Sequence, residues 1–178
     1  EELLKIYRAL SQRLKQAQMP LYEVSNAALK GEESQHNLLY WTMGDYLGIG
    51  TGAHGRVNLP GQEPRGVRWQ NIRSPKEYLK AGLTSSNDHL LSLIEEEHGQ
   101  LNIEALDEET VIVGLRLRQG LILSQSLLDR YSANAQLLIQ EGLLHQVPSS
   151  TSAPLGRWIA TARGTELLDH LCFRLILG

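Results

Sequence analysis

His36, Tyr40 and Trp41 lie within one six-residue window. On a helix, His36 and Tyr40 share a face, because residues four apart are neighbours there, and Trp41 sits about 100° further round. An imidazole beside two large aromatic rings supplies one axial nitrogen and flat apolar surface, which is what holding a haem requires. The same set suits a core or helix-capping histidine packed among aromatics, and spacing alone leaves both readings open. A glycine run follows, Gly48-Ile49-Gly50-Thr51-Gly52. Glycines let a backbone approach a ligand and free N–H groups for it, or simply make a tight corner. The run is not the dinucleotide fingerprint, since Ala53 stands where a glycine is needed, and no Gly-Lys-Ser/Thr marks a P-loop.

Other residues carry weaker signals. His54 and Arg56 could meet an anionic group or face solvent from a loop. Glu23 and Asn26 would make one side of a short strand polar, and a β/α barrel keeps site residues at such strand ends. His98, after Glu95, Glu96 and Glu97, could bind a metal or lie on a solvated helix end. Arg116, Arg118, Arg157 and Arg163 could serve a DNA-binding wing, but Asp129, Glu141, Glu166 and Asp169 balance them. Nothing in the spacing of the six histidines singles out a nucleophile–base pair.

These residues need elements to position them. Leu3, Ile6, Tyr7, Leu10 and Leu14 recur at helical spacing and predict a helix over 1–17. Pro20 stops it, and 20–27 reads as a short strand. A short helix follows at 33–42. Residues 44–72 are rich in Gly and Pro and read as irregular, with a small strand at 67–72. Ser74-Pro75-Lys76-Glu77 opens a helix that runs to about 81, with Ser74 as cap, Pro75 at the first position and Glu77 three after the cap. A change of composition places a boundary near 85–107. Beyond it the pattern predicts helices at 106–119, 124–131 and 133–141, strands at 143–147 and 157–161, and a helix at 163–177. Helices, a two-stranded wing and a closing helix form a winged-helix-like order.

Composition bounds the function classes. With 42% apolar residues and a net charge of −3 over 178 residues, the chain reads as an ordinary globular protein with no global field for nucleic acid. The single cysteine, Cys172, excludes a disulfide framework and any iron–sulfur or multi-thiolate zinc site built from this chain alone. No stretch of 18 apolar residues predicts a membrane span, no basic-then-apolar start predicts a signal peptide, and a cytoplasmic setting is the expectation. The chain enters directly on a helical pattern without an initiator Met, which reads as a piece of a longer protein.

Three segments together resemble a known family: Tyr22-Glu23-Val24-Ser25-Asn26, then Ser34-Gln35-His36-Asn37-Leu38-Leu39-Tyr40-Trp41, then Tyr46-Leu47-Gly48-Ile49-Gly50-Thr51-Gly52-Ala53-His54. They look like the C-terminal half of the oxygen-independent coproporphyrinogen III oxidase-like radical SAM proteins, and the His-Asn-x-x-Tyr-Trp pattern points to the haem-chaperone branch. Gly114–Leu121 and Arg157–Gly164 look like the family's C-terminal domain. The resemblance implies an α+β chain: the end of a partial (β/α) barrel with its glycine-rich segment over 1–84, a connecting segment over 85–106, and a winged-helix-like domain over 107–178. It implies haem contact at His36 with Tyr40 and Trp41, and S-adenosylmethionine contact at Ala27, Ile49 and Gly50. The cysteine loop for a 4Fe–4S cluster would belong to the full-length protein only. The implied ligand is haem, with haem-accepting proteins as partners and no nucleic acid. An oxidase of porphyrin biosynthesis and a DNA-binding winged helix are the alternatives. The family commonly has Pro where Thr51 stands and Ser where Gly55 stands.

Overall fold

Helices whose residues alternate between burial and exposure every three to four positions build the C-terminal part of this chain. The computed structural model describes residues 2–58, 67–82, 94–100 and 102–178. Among the described residues the elements are, in order, α1 (Glu2–Gln16), α2 (Gln35–Trp41), β1 (His54–Val57), β2 (Val67–Asn71), α3 (Pro75–Gly82), β3 (Ile94–Gln100), α4 (Ile103–Gly114), β4 (Leu121–Ile122), α5 (Gln125–Gln140), β5 (Leu144–Val147), β6 (Arg157–Ala160), α6 (Ala162–Glu166) and α7 (Leu168–Leu177). Helix makes up 49% and strand 17%, so the mixed α+β class stands. Among the described residues the strands form two small antiparallel sheets, β1-β2-β3 and β4-β6-β5, and no barrel.

The chain packs as two compact units. One joins the segment ending at Thr42 to Asp107–Gly178; the other is Met43–Leu106. In the first, Leu127, Tyr131, Ala135 and Leu138 recur on one face of α5 and meet Leu171 and Leu175 of α7, Val111 of α4 and Trp158 of β6. Leu121 pairs with Trp158, and Leu144 with Ala160, so β4, β5 and β6 present this core with alternating residues. Ser124 caps α5 through a bond from the Leu127 N–H, and Thr161 caps α6 through one from Gly164. Glycine is required at Gly164, where an added Cβ would collide with the Leu143 carbonyl.

In the second unit, β2 is the central strand. His54 faces Gln70 and Val57 faces Val67, and two register shifts bend β2 against β3. A Cβ at Gly55 would overlap the Trp69 ring, so the missing side chain lets the indole lie flat on β1.

Several expectations need correcting. Residues 20–27 are not a strand. They form a tight loop, closed by a Leu21–Ala27 bridge and a 3.0 Å bond from the Tyr22 N–H to the Asn26 carbonyl. The 44–72 stretch holds a second strand, β1, which the glycines disguised. Residues 95–98 belong to strand β3 and not to a helix end. The helix expected at 106–119 is α4, starting earlier and ending at Gly114. The two helices expected at 124–131 and 133–141 are the single α5, because Ser132 and Ala133 continue its turn without breaking the buried stripe. The closing helix is divided at Leu167 into α6 and α7. Of the boundary region near 85–107, residues 85–93 and 101 lie outside the described residues.

Candidate functional site

Ser34 begins the arrangement. Its hydroxyl accepts a 3.4 Å bond from the Asn37 N–H and starts the seven-residue helix α2. That turn brings His36 and Tyr40 together as expected, with ring centroids 4.8 Å apart and planes at 80°. Edge-to-face packing of this kind fixes the imidazole's orientation. His36 itself is exposed, so the side chain is open to a ligand and is not the packed core histidine of the alternative reading. Trp41 is half-buried on the adjoining face, and the Arg116 guanidinium lies over its ring at 4.5 Å. The Asn37 amide donates to the Tyr22 hydroxyl at 3.1 Å, tying α2 to the 20–28 loop.

That loop is wound around a carboxylate. Glu23 is 0% exposed. Its Oε1 accepts bonds from the Ser25 N–H and hydroxyl, both at 2.9 Å, and from the Asn26 amide at 2.6 Å. Its Oε2 has no hydrogen bond and lies 3.9 Å from Arg116. A buried carboxylate is tolerated only when donors and an opposite charge compensate its lost hydration, and this one has both. The polar side of a strand expected at Glu23 and Asn26 is therefore an inward-turned carboxylate with its own donors. The segment after α4 supplies the cation: Leu115 and Leu117 point into the core, so Arg116 and Arg118 point the other way. Arg118 donates to the Tyr7 hydroxyl at 2.8 Å and to Thr165 at 3.1 Å, while its N–H bonds the Tyr22 carbonyl at 3.0 Å. Tyr7 in turn donates to the Val24 carbonyl at 3.0 Å. Ala27 is half-buried in the same loop.

Ile49 and Gly50 belong to the second unit. Ile49 is 88% exposed. Gly50 has φ +103°, a conformation that favours glycine, and an added Cβ there would meet open space. Two N–H groups of this run are committed internally: that of Gly50 donates to the Tyr78 hydroxyl at 3.2 Å and that of Gly52 to the Ile72 carbonyl at 3.0 Å. The Asn71 amide gathers the loop by donating to the Gly48 and Gly50 carbonyls, both at 3.0 Å. His54 is exposed on β1, whereas Arg56 is buried in it, so only one of the two faces solvent.

The donor set bears on which groups this chain could hold. Cys172 is buried, and desolvation, with a smaller effect of Asp169, pushes its thiol up to about 11, so it stays protonated at neutral pH. One protonated thiol does not fit an iron–sulfur cluster. No group of three His, Cys, Asp or Glu side chains gathers for a metal among the described residues. The exposed imidazole of His36 fits one axial position of a haem.

Arg116 and Arg118 were legible only as members of an arginine set suited to a nucleic-acid wing. Their actual partners are about 47 to 111 residues away in sequence, beyond what spacing encodes. The alternation in Leu115-Arg116-Leu117-Arg118 is the one signal that could have found them, since it puts both arginines opposite a buried face.

Comparison with known proteins gives a consistent result. A protein of Mycobacterium tuberculosis (strain ATCC 25618 / H37Rv) named heme chaperone HemW is 34% identical over 174 residues, covering 97% of this chain and 38% of its own length. The Bacillus subtilis protein of the same name is 27% identical over 161 residues, covering 84% of this chain and 38% of its own. The Escherichia coli (strain K12) protein is 40% identical over 80 residues, covering 45% of this chain and 21% of its own. The chain thus spans well under half the length of the curated relatives it matches. No family model matches, and no solved structure does.

Proposed function

We propose that this chain is part of a radical SAM haem chaperone, since a heme chaperone relative aligns with nearly all of it, and that it binds haem through His36 for delivery to haem-accepting proteins. The observation that carries the reading is the exposed His36 imidazole, held edge-on by Tyr40 on a capped helix. An exposed ligand suits a carrier, because a cargo that must leave again cannot be sealed into a core. Tyr40 orients the imidazole, and Trp41 offers apolar ring surface beside it. The oxidase and DNA-binding alternatives gain nothing from the relatives' names.

The finer reading follows the resemblance. Residues 1–84 are the end of the barrel, 85–106 the connection, and 107–178 the winged-helix-like domain; the α4-β4-α5-β5-β6 order and the β4-β6-β5 sheet support the last of these. Ala27, Ile49 and Gly50 would face S-adenosylmethionine in the full-length protein, and a 4Fe–4S cluster would draw its cysteines from other parts of that protein. No helix among the described residues is long and apolar enough to cross a membrane, and a cytoplasmic setting is part of the proposal.

The test is an absorbance titration of this chain with ferric haem beside His36→Ala. A saturable Soret shift that the variant lacks is the expected result. Equal shifts in both proteins would remove His36 from the proposal, and no shift in either would remove haem binding from this chain.

A further inference from the structure

Three buried polar atoms without hydrogen bonds converge on one residue. They are Glu23 Oε2, Trp41 Nε1 and Arg116 Nε. Arg116 is common to both remaining contacts: its guanidinium lies 4.5 Å over the Trp41 ring and its terminal nitrogen 3.9 Å from Glu23 Oε2. A native structure rarely leaves such atoms unpaired without a reason, and here each belongs to a segment that another must hold in place.

We propose that Arg116 is the positioning residue of the haem-binding helix: it clamps the Trp41 face against the buried Glu23 loop and so fixes the direction in which α2 presents His36. This rests on the reading of His36 as the haem ligand. α2 has no fully buried residue and its Leu38, Leu39, Tyr40 and Trp41 are only half-buried, so polar contacts share in setting its angle. Its ties to the rest of its unit include the Asn37–Tyr22 bond and the cation over Trp41, and Asn37 lies just one residue beyond His36. Trp41 adjoins Tyr40, whose ring orients the imidazole, so a displaced Trp41 rotates the pair together. Glu23 gives the guanidinium a fixed counter-charge at its other end. Without that anchor the long arginine side chain would lose its stacked geometry to rotamer freedom. Partly desolvated cation–π contacts have enough strength for this role.

The test combines hydrogen exchange with the haem titration, on the wild type, Arg116→Gln, Arg116→Lys, Trp41→Leu, the Arg116→Gln/Trp41→Leu double variant and His36→Ala. Without haem, Arg116→Gln should speed amide exchange across 35–41 while α5 and α7 keep their protection. Its haem affinity should fall about tenfold, with an altered Soret line shape. Arg116→Lys, which keeps the charge, should recover part of the loss. The glutamine change should add nothing once Trp41 is leucine. Unchanged exchange in α2, or additive losses in the double variant, would overturn the positioning role. Faster exchange in α2 with His36→Ala still binding haem normally would overturn the haem reading, and with it the link to haem. The two failures are therefore told apart.

Discussion

Within one unit, two regions are held by different physics. Residues from Val111 to Leu175 close around side chains that are almost wholly removed from water, among them Trp158, Leu138, Leu171 and Leu175. The arm from Glu2 to Thr42 has helices with no buried residue at all, and Leu3, Ile6 and Leu10 of α1 lie exposed. Val24 packs against the core and Ala28 is buried, but the arm is attached mainly by hydrogen bonds and charges: Tyr7 to Val24, Arg118 to Tyr7, Arg116 to Glu23 and Trp41, Arg8 to Glu166. Apolar packing is non-directional and cooperative, so the core should yield all at once. A polar latch is directional, so it should open locally and leave the core standing. With the proposed haem ligand on the latched arm, haem binding would fall in the less tightly packed part of the unit.

The largest expected effect lies in the core. Trp158→Ala removes a fully buried indole and should cost about 3–5 kcal/mol, seen as a lower denaturation midpoint for all probes of the unit together. Separate transitions for β6 and α7 would break the claim that this region melts as one.

The contrast also explains what could be read from the sequence. The core half was largely legible: β5 and β6 lie where the strand-like runs and the loop between them put them, and the residues of α5 read as helical, though as two short helices and not one. The His36–Tyr40 contact was legible as well, since it is local. The Glu23 loop was not. Its residues alternate in the manner of a strand, and only the donors of Ser25 and Asn26 folding back on Glu23, with an arginine more than 90 residues later, reveal a buried carboxylate. β1 was hidden for a related reason: Gly55 disfavours strands locally, and its place is set by the Trp69 ring on the paired strand.

Next in size is Glu23→Ala. It removes the carboxylate that three donors share and leaves Arg116 without its anion, at a cost of about 1.5–3 kcal/mol for lost hydrogen bonds to a charged group. Hydrogen exchange should rise over 20–41, while α5 and α7 hold their protection. Equal loss of protection in both regions would mean that the arm and the core form a single cooperative body, and the comparison would fall. Tyr7→Phe is gentler. It removes the donor to Val24 and the acceptor of Arg118, worth about 1 kcal/mol, and should loosen the α1–loop junction with little change in the global midpoint.

The smallest effect gives the sharpest contrast, because one ion pair joins the arm to the core and a comparable one lies within the core. Arg8 grips Glu166 with two 2.6 Å bonds, and Arg174 holds Glu141 at 3.0 Å. Both carboxyls lie below their ordinary value of 4.5, each mainly through its arginine hydrogen bond. A carboxyl lowered in the folded state contributes stability that is present above its unfolded value and lost as pH falls through the folded one. Acidification below the ordinary carboxylate range should therefore weaken both pairs. In the arm, the loss should speed amide exchange in α1, and Arg8→Ala should produce the same exchange at neutral pH and abolish its acid dependence. In the core, Leu171 and Leu175 still bury α7 against α5, so Arg174→Ala should leave exchange in α7 unchanged. If Arg174→Ala freed α7 as readily as Arg8→Ala frees α1, burial would not be what separates the two regions.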